Sequence, residues 1–440
     1  MGFVDTIMVG RLGPEALAGV ALGNSTFFFC FIVCLGVVQA VGPMVSQAYG
    51  AGERVPIERS VRQGLWLGAV LAIPAMALLW NVGPLLLMLG QTETAVAQAQ
   101  GYLRAIVWGF LPGLWFMALR SFVEGLSRPL PVTIITFVGV GLNVLANYAL
   151  MFGAWGFPAL GLVGTGWAST LVFWFLFGAL ALFVVRIEPF AQYRIFAGLR
   201  TPDLATFREL VRIGWPMGIS SGIEAGLFMI TALLVGTLGA TPLAAHQVAL
   251  QCAAFTFMVP LGVGIAGSVR VGQAAGRGDA EGVRRAGYAA VGLASVFMVG
   301  AAILFWTVPE TIVALYLDTG APENAPVVEL AVALLGVAAV FQVFDGVQVA
   351  ASGSLRGLKD TRVPMVIALA TYWGVGLTTG YLIGLQWGGG ARGLWWGLVV
   401  GLAAAAVLLL WRFQWRSGRL AASSASSPVP SAAPAPPEGS

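Results

Sequence analysis

The sequence predicts an all-α polytopic membrane protein, built as two six-helix bundles related by an internal parallel repeat, with the first helix incomplete at the N-terminus. Three observations carry that reading. Apolar residues make up 58% of the 440-residue chain and charged residues only 10%, against about 25% in an average globular protein. Such a chain lacks the polar surface to cover itself in water. Apolar stretches of bilayer-spanning length recur along it, and the sequence matches itself at a shift of 226 residues. Its 59 glycines suit helices that pack closely in lipid.

A spanning helix needs about 20 mostly apolar residues. Stretches of that kind run over 16–40, 58–82, 94–118, 130–152, 161–186, 209–236, 242–268, 283–308, 325–352, 363–385 and 393–415. The apolar opening from Met1 to Val9 is read as the end of a twelfth. Between the stretches lie breakers and charges: Tyr49-Gly50-Ala51-Gly52-Glu53-Arg54, Ser127-Arg128-Pro129 and Gly276-Arg277-Gly278-Asp279. Lys/Arg bias sets the orientation. Arg54, Arg120, Arg128, Arg208, Arg277, Arg356, Lys359 and Arg416 fall in one set of alternate loops, which is therefore assigned to the cytoplasm together with the C-terminus. The opposite side holds Arg11, Arg392 and the acidic loop with Glu310, Asp318 and Glu323. The expected organisation is an N-terminal lobe over 1–188, an inter-lobe loop over 189–208, a C-terminal lobe over 209–417 and a disordered Pro/Ser/Ala tail over 418–440.

In the repeat, Val9-Gly10 lies over Val235-Gly236 and Leu35-Gly36-Val37 over Leu261-Gly262-Val263. Gln47-Ala48 lies over Gln273-Ala274 without a gap. Further on, Gly125-Leu126 falls over Gly357-Leu358 at a shift of 232. Parallel repeats of this size are a transporter architecture, with the site in the cleft between halves.

Asp5, Glu224 and Asp345 sit inside spans. An ionised acid at mid-helix costs roughly 2.5–3.5 kcal/mol, and the only lysine, Lys359, is in a loop. The acids are expected to face a watery cavity and to hold a proton or a cation. Asn143 and Asn147, four apart on one helix face, are expected to reach an acid across the cleft. Phe228 lies one turn after Glu224 and Phe341 one turn before Asp345. Aromatic faces beside carboxylates suit an organic cation.

The same inventory excludes other classes. A net charge of +4 from scattered arginines is no nucleic-acid surface. Cys30, Cys34 and Cys252 are too few and too apolar in setting for a disulfide framework or a zinc site. Gly262–Gly267 fits GxGxxG but lies inside a span with no preceding strand. Gly218-Ile219-Ser220-Ser221-Gly222 fits GxSxG and, with the single histidine His246, raises an intramembrane serine hydrolase, a reading that leaves the duplication and the acids unused. His246 itself reads as a packing residue before a proton carrier.

Taken together, the pattern resembles the multidrug and toxic compound extrusion (MATE) family, in particular its bacterial NorM-like branch. The resemblance runs from Val4 to about Arg416, through Val4-Asp5-Thr6-Ile7-Met8-Val9-Gly10-Arg11-Leu12-Gly13, Asn147-Tyr148-Ala149-Leu150-Met151-Phe152-Gly153, Ala244-Ala245-His246-Gln247 and Ala351–Thr361. It implies twelve helices around a V-shaped cleft, alternating access by two rocking lobes, and export of small organic cations in exchange for Na+ or H+. It implies a multi-pass protein of the bacterial inner membrane, embedded in lipid as a monomer, with no cofactor beyond the coupling ion. Asp5, with Asn143 and Asn147, then corresponds to an N-lobe proton or cation site. Glu224 and Asp345 correspond to C-lobe acids tied to cation binding, and their presence together favours Na+. Gln247, Phe228 and Phe257 match positions lining the drug pocket. The same superfamily includes lipid-linked sugar flippases, which place arginines in the cleft; here the cleft positions are acidic. Finally, from Met1 to Arg11 a helix spans only about 17 Å, half of a roughly 30 Å hydrocarbon core. The native protein is therefore expected to begin at least 20 residues earlier.

Overall fold

The computed structural model describes residues 14–199, 201 and 203–426, with side chains from 19 to 422. Asp5 and the question of where the chain begins lie outside the described residues. Eleven helices long and apolar enough to cross a membrane are present among the described residues, in the order the hydropathy pattern predicts.

The first span is α1 (Pro14–Val38) followed by α2 (Val41–Gly50). The break between them has a covalent cause. Pro43 has no N–H to give to the carbonyl of Gln39, which instead accepts from Gly42 N at 3.0 Å. Next come α3 (Arg54–Trp80), α4 (Glu93–Ile106) with α5 (Phe110–Gly125), α6 (Leu130–Phe152) and α7 (Gly161–Arg186). The second half holds α8 (Leu204–Gly236), α9 (Ala240–Gly276), α10 (Ala280–Thr307) and α11 (Ala325–Gly357). It ends with α12 (Arg362–Ala368), continued by π-helical turns over Leu369–Leu377 and Leu382–Gln386, and α13 (Gly390–Ser426).

Most helices outrun their apolar stretches, because hydropathy sees only the lipid-facing part. α8 starts at Leu204, five residues before the expected 209, where Asp203 caps it. The Asp203 carboxyl accepts from Ala205 N and Thr206 N at 3.1 Å each and lies 3.3 Å from Arg59. The backbone N–H of Thr206, first, and the other donors around it hold that carboxyl below the usual carboxylate range. α13 runs to Ser426, so the disorder expected from 418 does not begin there. Arg419-Leu-Ala-Ala is good helix-forming sequence, and Leu420 packs on a small core that includes Phe413 and Leu409.

Two larger apolar cores organise the chain. The first gathers buried residues from Val20 to Met217, the second from Leu227 to Ala405. α8 belongs to both: Leu210, Ile213 and Met217 pack into the first core, Leu227 and Val235 into the second. The Phe190–Ile195 segment is no loose linker, since Phe190 and Ile195 are buried in the first core. Within the second half, Gly376, Gly380 and Gly384 face Gly393, Gly397 and Gly401 in a seam of backbone on backbone. Any side chain at Gly397 would collide with Gly380, so the helical continuation of α12 over Leu369–Gln386 and α13 approach only because both faces are glycine.

The halves meet at the arginine-rich ends of their spans. Gln47 Nε2 donates to Gly357 O at 2.7 Å, and Gln273 Nε2 donates to Gly125 O at 2.9 Å and to Ser127 Oγ at 2.9 Å. Gln47 and Gln273 correspond under the 226 shift, Gly125 and Gly357 under the 232 shift. Each glutamine therefore reaches the other half's copy of one carbonyl, and the junction is a pseudo-two-fold latch. Gly50 packs on the carbonyl of Gln273 and Gly276 on that of Gln47, too closely for a β-carbon at either position.

Candidate functional site

The site is built from α8, α9, α11, the π-helical segment and α13. On α8, Glu224 is half-buried; on α11, Asp345 is buried. The two carboxyls lie within reach of each other's charge, Tyr372 senses both, and Glu224 also senses Arg356. The π-helical turns explain Tyr372. A π-turn widens the helix and re-aims its side chains, and Trp373 beside it donates from Nε1 to Ile223 O at 3.1 Å. That bond ties the π segment to α8 one residue before Glu224. Gln348, one turn along α11 from Asp345, lies close to the Tyr372 hydroxyl.

One turn from each acid stands an aromatic ring, and the structure brings the two together. Phe228 and Phe341 make an edge-to-face contact with centroids 6.2 Å apart, and Phe341 makes another with Trp395 at 5.7 Å. Trp395, fully buried on α13, donates from Nε1 to His246 Nδ1 at 3.1 Å. His246 must then be neutral with its proton on Nε2, because a second N–H at Nδ1 would face the indole donor. Thr256 Oγ1 donates to Gln342 Oε1 at 2.9 Å, linking α9 to α11. Several buried polar atoms around the acids find no hydrogen-bond partner: His246 Nε2, Gln342 Nε2 and Gln348 Oε1. Unsatisfied buried groups are rare in folded proteins and concentrate where something binds.

The sequence-predicted residues do not all converge. Asn143 and Asn147 are fully buried on α6, which packs on α7 within the first half. Neither amide atom of Asn143 has a partner, and so no hydrogen bond joins it to Glu224 or Asp345, contrary to the expected bridge across the cleft. The amides share a half with Asp5, not with the C-lobe acids. Gln247 is exposed beside buried His246, and Phe257 is half-buried, outside the ring contacts that link Phe228, Phe341 and Trp395.

Two arginines depart from expectation. Arg120 and Arg356, assigned to loops from sequence, lie inside α5 and α11 and line a cavity of about 250 Å³ between the halves, with Gln39, Glu124, Gly264 and Ser268. Arg120 Nε pairs with Glu124 Oε1 at 2.7 Å. The cleft is thus acidic at Glu224 and Asp345 but not purely so. Sequence reasoning also missed Tyr372, Trp395, Gln342 and Gln348; the signal available was a polar or bulky aromatic side chain inside an apolar span.

Chemically, the pair offers oxygen donors in a poorly solvated setting. In such a setting ionised carboxylates call for a counter-charge, which a bound cation or a nearby arginine can supply. Among the described residues no three His, Cys, Asp or Glu side chains gather as a transition-metal site requires. The serine-hydrolase reading fails on geometry. Ser220 and Ser221 donate to the carbonyls of Pro216 (2.7 Å) and Met217 (3.1 Å), and His246 is held by Trp395.

Comparison with known proteins agrees with this architecture. The MatE family model matches residues 1–149 and 216–382, one block in each half of the duplication. A probable multidrug resistance protein NorM from Pseudomonas putida is 44% identical over 421 residues, covering 96% of this chain and 91% of that protein. The multidrug resistance protein NorM of Burkholderia vietnamiensis is 42% identical over 425 residues, with coverage of 96% and 91%. A solved MATE protein in a bent conformation superposes with a TM-score of 0.87 at 18% identity over 97% of this chain and 92% of that one. This chain therefore belongs to the MATE family of multi-pass membrane transporters.

Proposed function

We propose that the protein is a secondary multidrug exporter that moves hydrophobic organic cations outward in exchange for inward Na+ or H+. The observation that carries the reading is the Glu224–Asp345 pair, set one helical turn from the contacting rings of Phe228 and Phe341. The rings give a flat organic cation a π-face, and the carboxylates give it charge. The coupling ion competes for the same carboxylates. Cargo and ion are then alternatives at one site, which is the requirement for exchange. Oxygen donors suit Na+ as well as a proton, and the presence of both acids favours Na+. A second protonatable or cation site in the first half, of Asp5 with Asn143 and Asn147, is part of the same proposal and rests on the family resemblance alone. The relatives named as multidrug resistance proteins support the cargo class.

In this reading the latch of Gln47 and Gln273 closes the arginine-rich end in one state and parts in the other. The arginine-rich ends lie in the cytoplasm of a bacterial inner membrane, with the C-terminus on the same side, and the working unit is a monomer. The test is dye release from proteoliposomes under a Na+ gradient alone and under a pH gradient alone. Release of a cationic dye against its own gradient under either condition supports the proposal, and its absence under both overturns it.

A further inference from the structure

A strongly cationic concavity lies apart from the cavity between the halves. A cavity of about 680 Å³ opens at the arginine-rich ends of the spans, where three segments converge. These are the first turns of α8, the turn between α11 and α12, and the stretch of α13 around Arg412 and Arg416. They bring six cations, Arg208, Arg212, Lys359, Arg362, Arg412 and Arg416, to one cavity with two carboxylates, Glu209 and Asp360. Both carboxylates are committed. Lys359 Nζ lies 2.8 Å from Glu209, and Asp360 takes Arg412 at 2.8 Å and Arg416 at 3.4 Å. Arg208, Arg212 and Arg362 enter none of the described ion pairs, so the cavity keeps an unbalanced positive charge.

Its walls are held in place. Thr361 Oγ1 donates to Ile213 O at 2.9 Å, pinning the turn to α8. Arg412 lies over the Trp415 ring at 4.6 Å and Arg419 over the same ring at 3.7 Å. Leu204 and Trp411, next in sequence to cavity residues, are exposed, as interfacial anchors are at headgroup depth. A general excess of arginine on one membrane face needs no concavity. Here arginines from segments far apart in sequence turn into one cavity of ligand size.

We propose that this cavity binds phosphate-bearing anions, and that its occupant is the headgroup of an anionic phospholipid from the adjoining leaflet. Arginine forks match phosphate oxygens, basic pockets between membrane helices at this level bind anionic headgroups, and the exposed Leu204 and Trp411 leave room for the acyl chains. The bound headgroup bridges α8 to α13 beside Gly357, whose carbonyl holds Gln47.

The experiment is lipid retention by the full-length protein in detergent, read by native mass spectrometry after exposure to phosphatidylglycerol, phosphatidylcholine or inorganic pyrophosphate. The site variant is Arg208→Gln/Arg212→Gln/Arg362→Gln. The charge-matched control is Arg277→Gln/Arg284→Gln/Arg285→Gln, on the same face but outside the cavity. The expected result is retention of phosphatidylglycerol over phosphatidylcholine, lost at least about tenfold in the site variant and kept in the control. Equal loss in both variants would mean diffuse surface electrostatics and overturn the site. Retention of pyrophosphate with no preference for phosphatidylglycerol would assign the cavity to soluble phosphates and overturn the lipid headgroup as its occupant.

Discussion

At the scale of single residues, each half of the site does a different job. Phe228 is half-buried, so in the proposed site its ring is the one open to cargo, whereas Phe341 is 2% exposed and would be the wall behind it. Phe228→Leu should weaken dye affinity by about threefold to thirtyfold, the range of a cation–π contact, with little change in melting temperature. Equilibrium dye binding in detergent checks this. Trp395→Phe deletes the donor to His246 Nδ1 inside the core and leaves that nitrogen buried and unpaired. A loss of about 1–3 kcal/mol in stability is expected, read as a lowered melting temperature. Glu224, Asp345, Phe228 and Phe341 were legible in the sequence because an acid inside an apolar span stands out and helical spacing finds its neighbours. Tyr372, Gln342 and Trp395 were not. Their roles depend on which helices touch, and nothing local in Leu369–Leu377 announces π-helical turns.

At the scale of elements, hydropathy located every described span but misjudged ends and breaks. It ended the first stretch at 40, at the break before Pro43, and so left α2 outside any stretch, and it stopped α9 near 268 although the helix runs to Gly276. Those last turns carry the latch. Its symmetry was half-visible beforehand: the alignment of Gln47 with Gln273 and of Gly125 with Gly357 is a sequence fact, but the crossing of each glutamine to the opposite half is not. Gln47→Ala/Gln273→Ala removes the bonds across the junction at about 1 kcal/mol each. With three bonds removed, about 3 kcal/mol in all, the closed-to-open ratio at this end should fall by roughly a hundredfold. Spin labels on the two halves should report a longer distance population, and an unchanged distribution would show that the latch does not hold this state.

At the scale of the whole molecule, the duplication explains why one chain holds two cores, a pseudo-symmetric junction and a family match in two blocks. It does not make the halves equivalent. The carboxylate pair and the aromatic wall belong to the second, while the first contributes the buried amides of Asn143 and Asn147. The central claim is that the Glu224–Asp345 pair couples ion entry to cargo exit. The most direct measurement compares Glu224→Gln/Asp345→Asn with the unmodified protein in proteoliposomes, following uphill dye release under an imposed ion gradient together with downhill dye exchange. Neutralising the acids removes an insertion cost of roughly 2.5–3.5 kcal/mol each, so the variant should fold and melt no lower. The account predicts that uphill release driven by the gradient disappears in the double variant. Continued uphill release at the unmodified rate would contradict it.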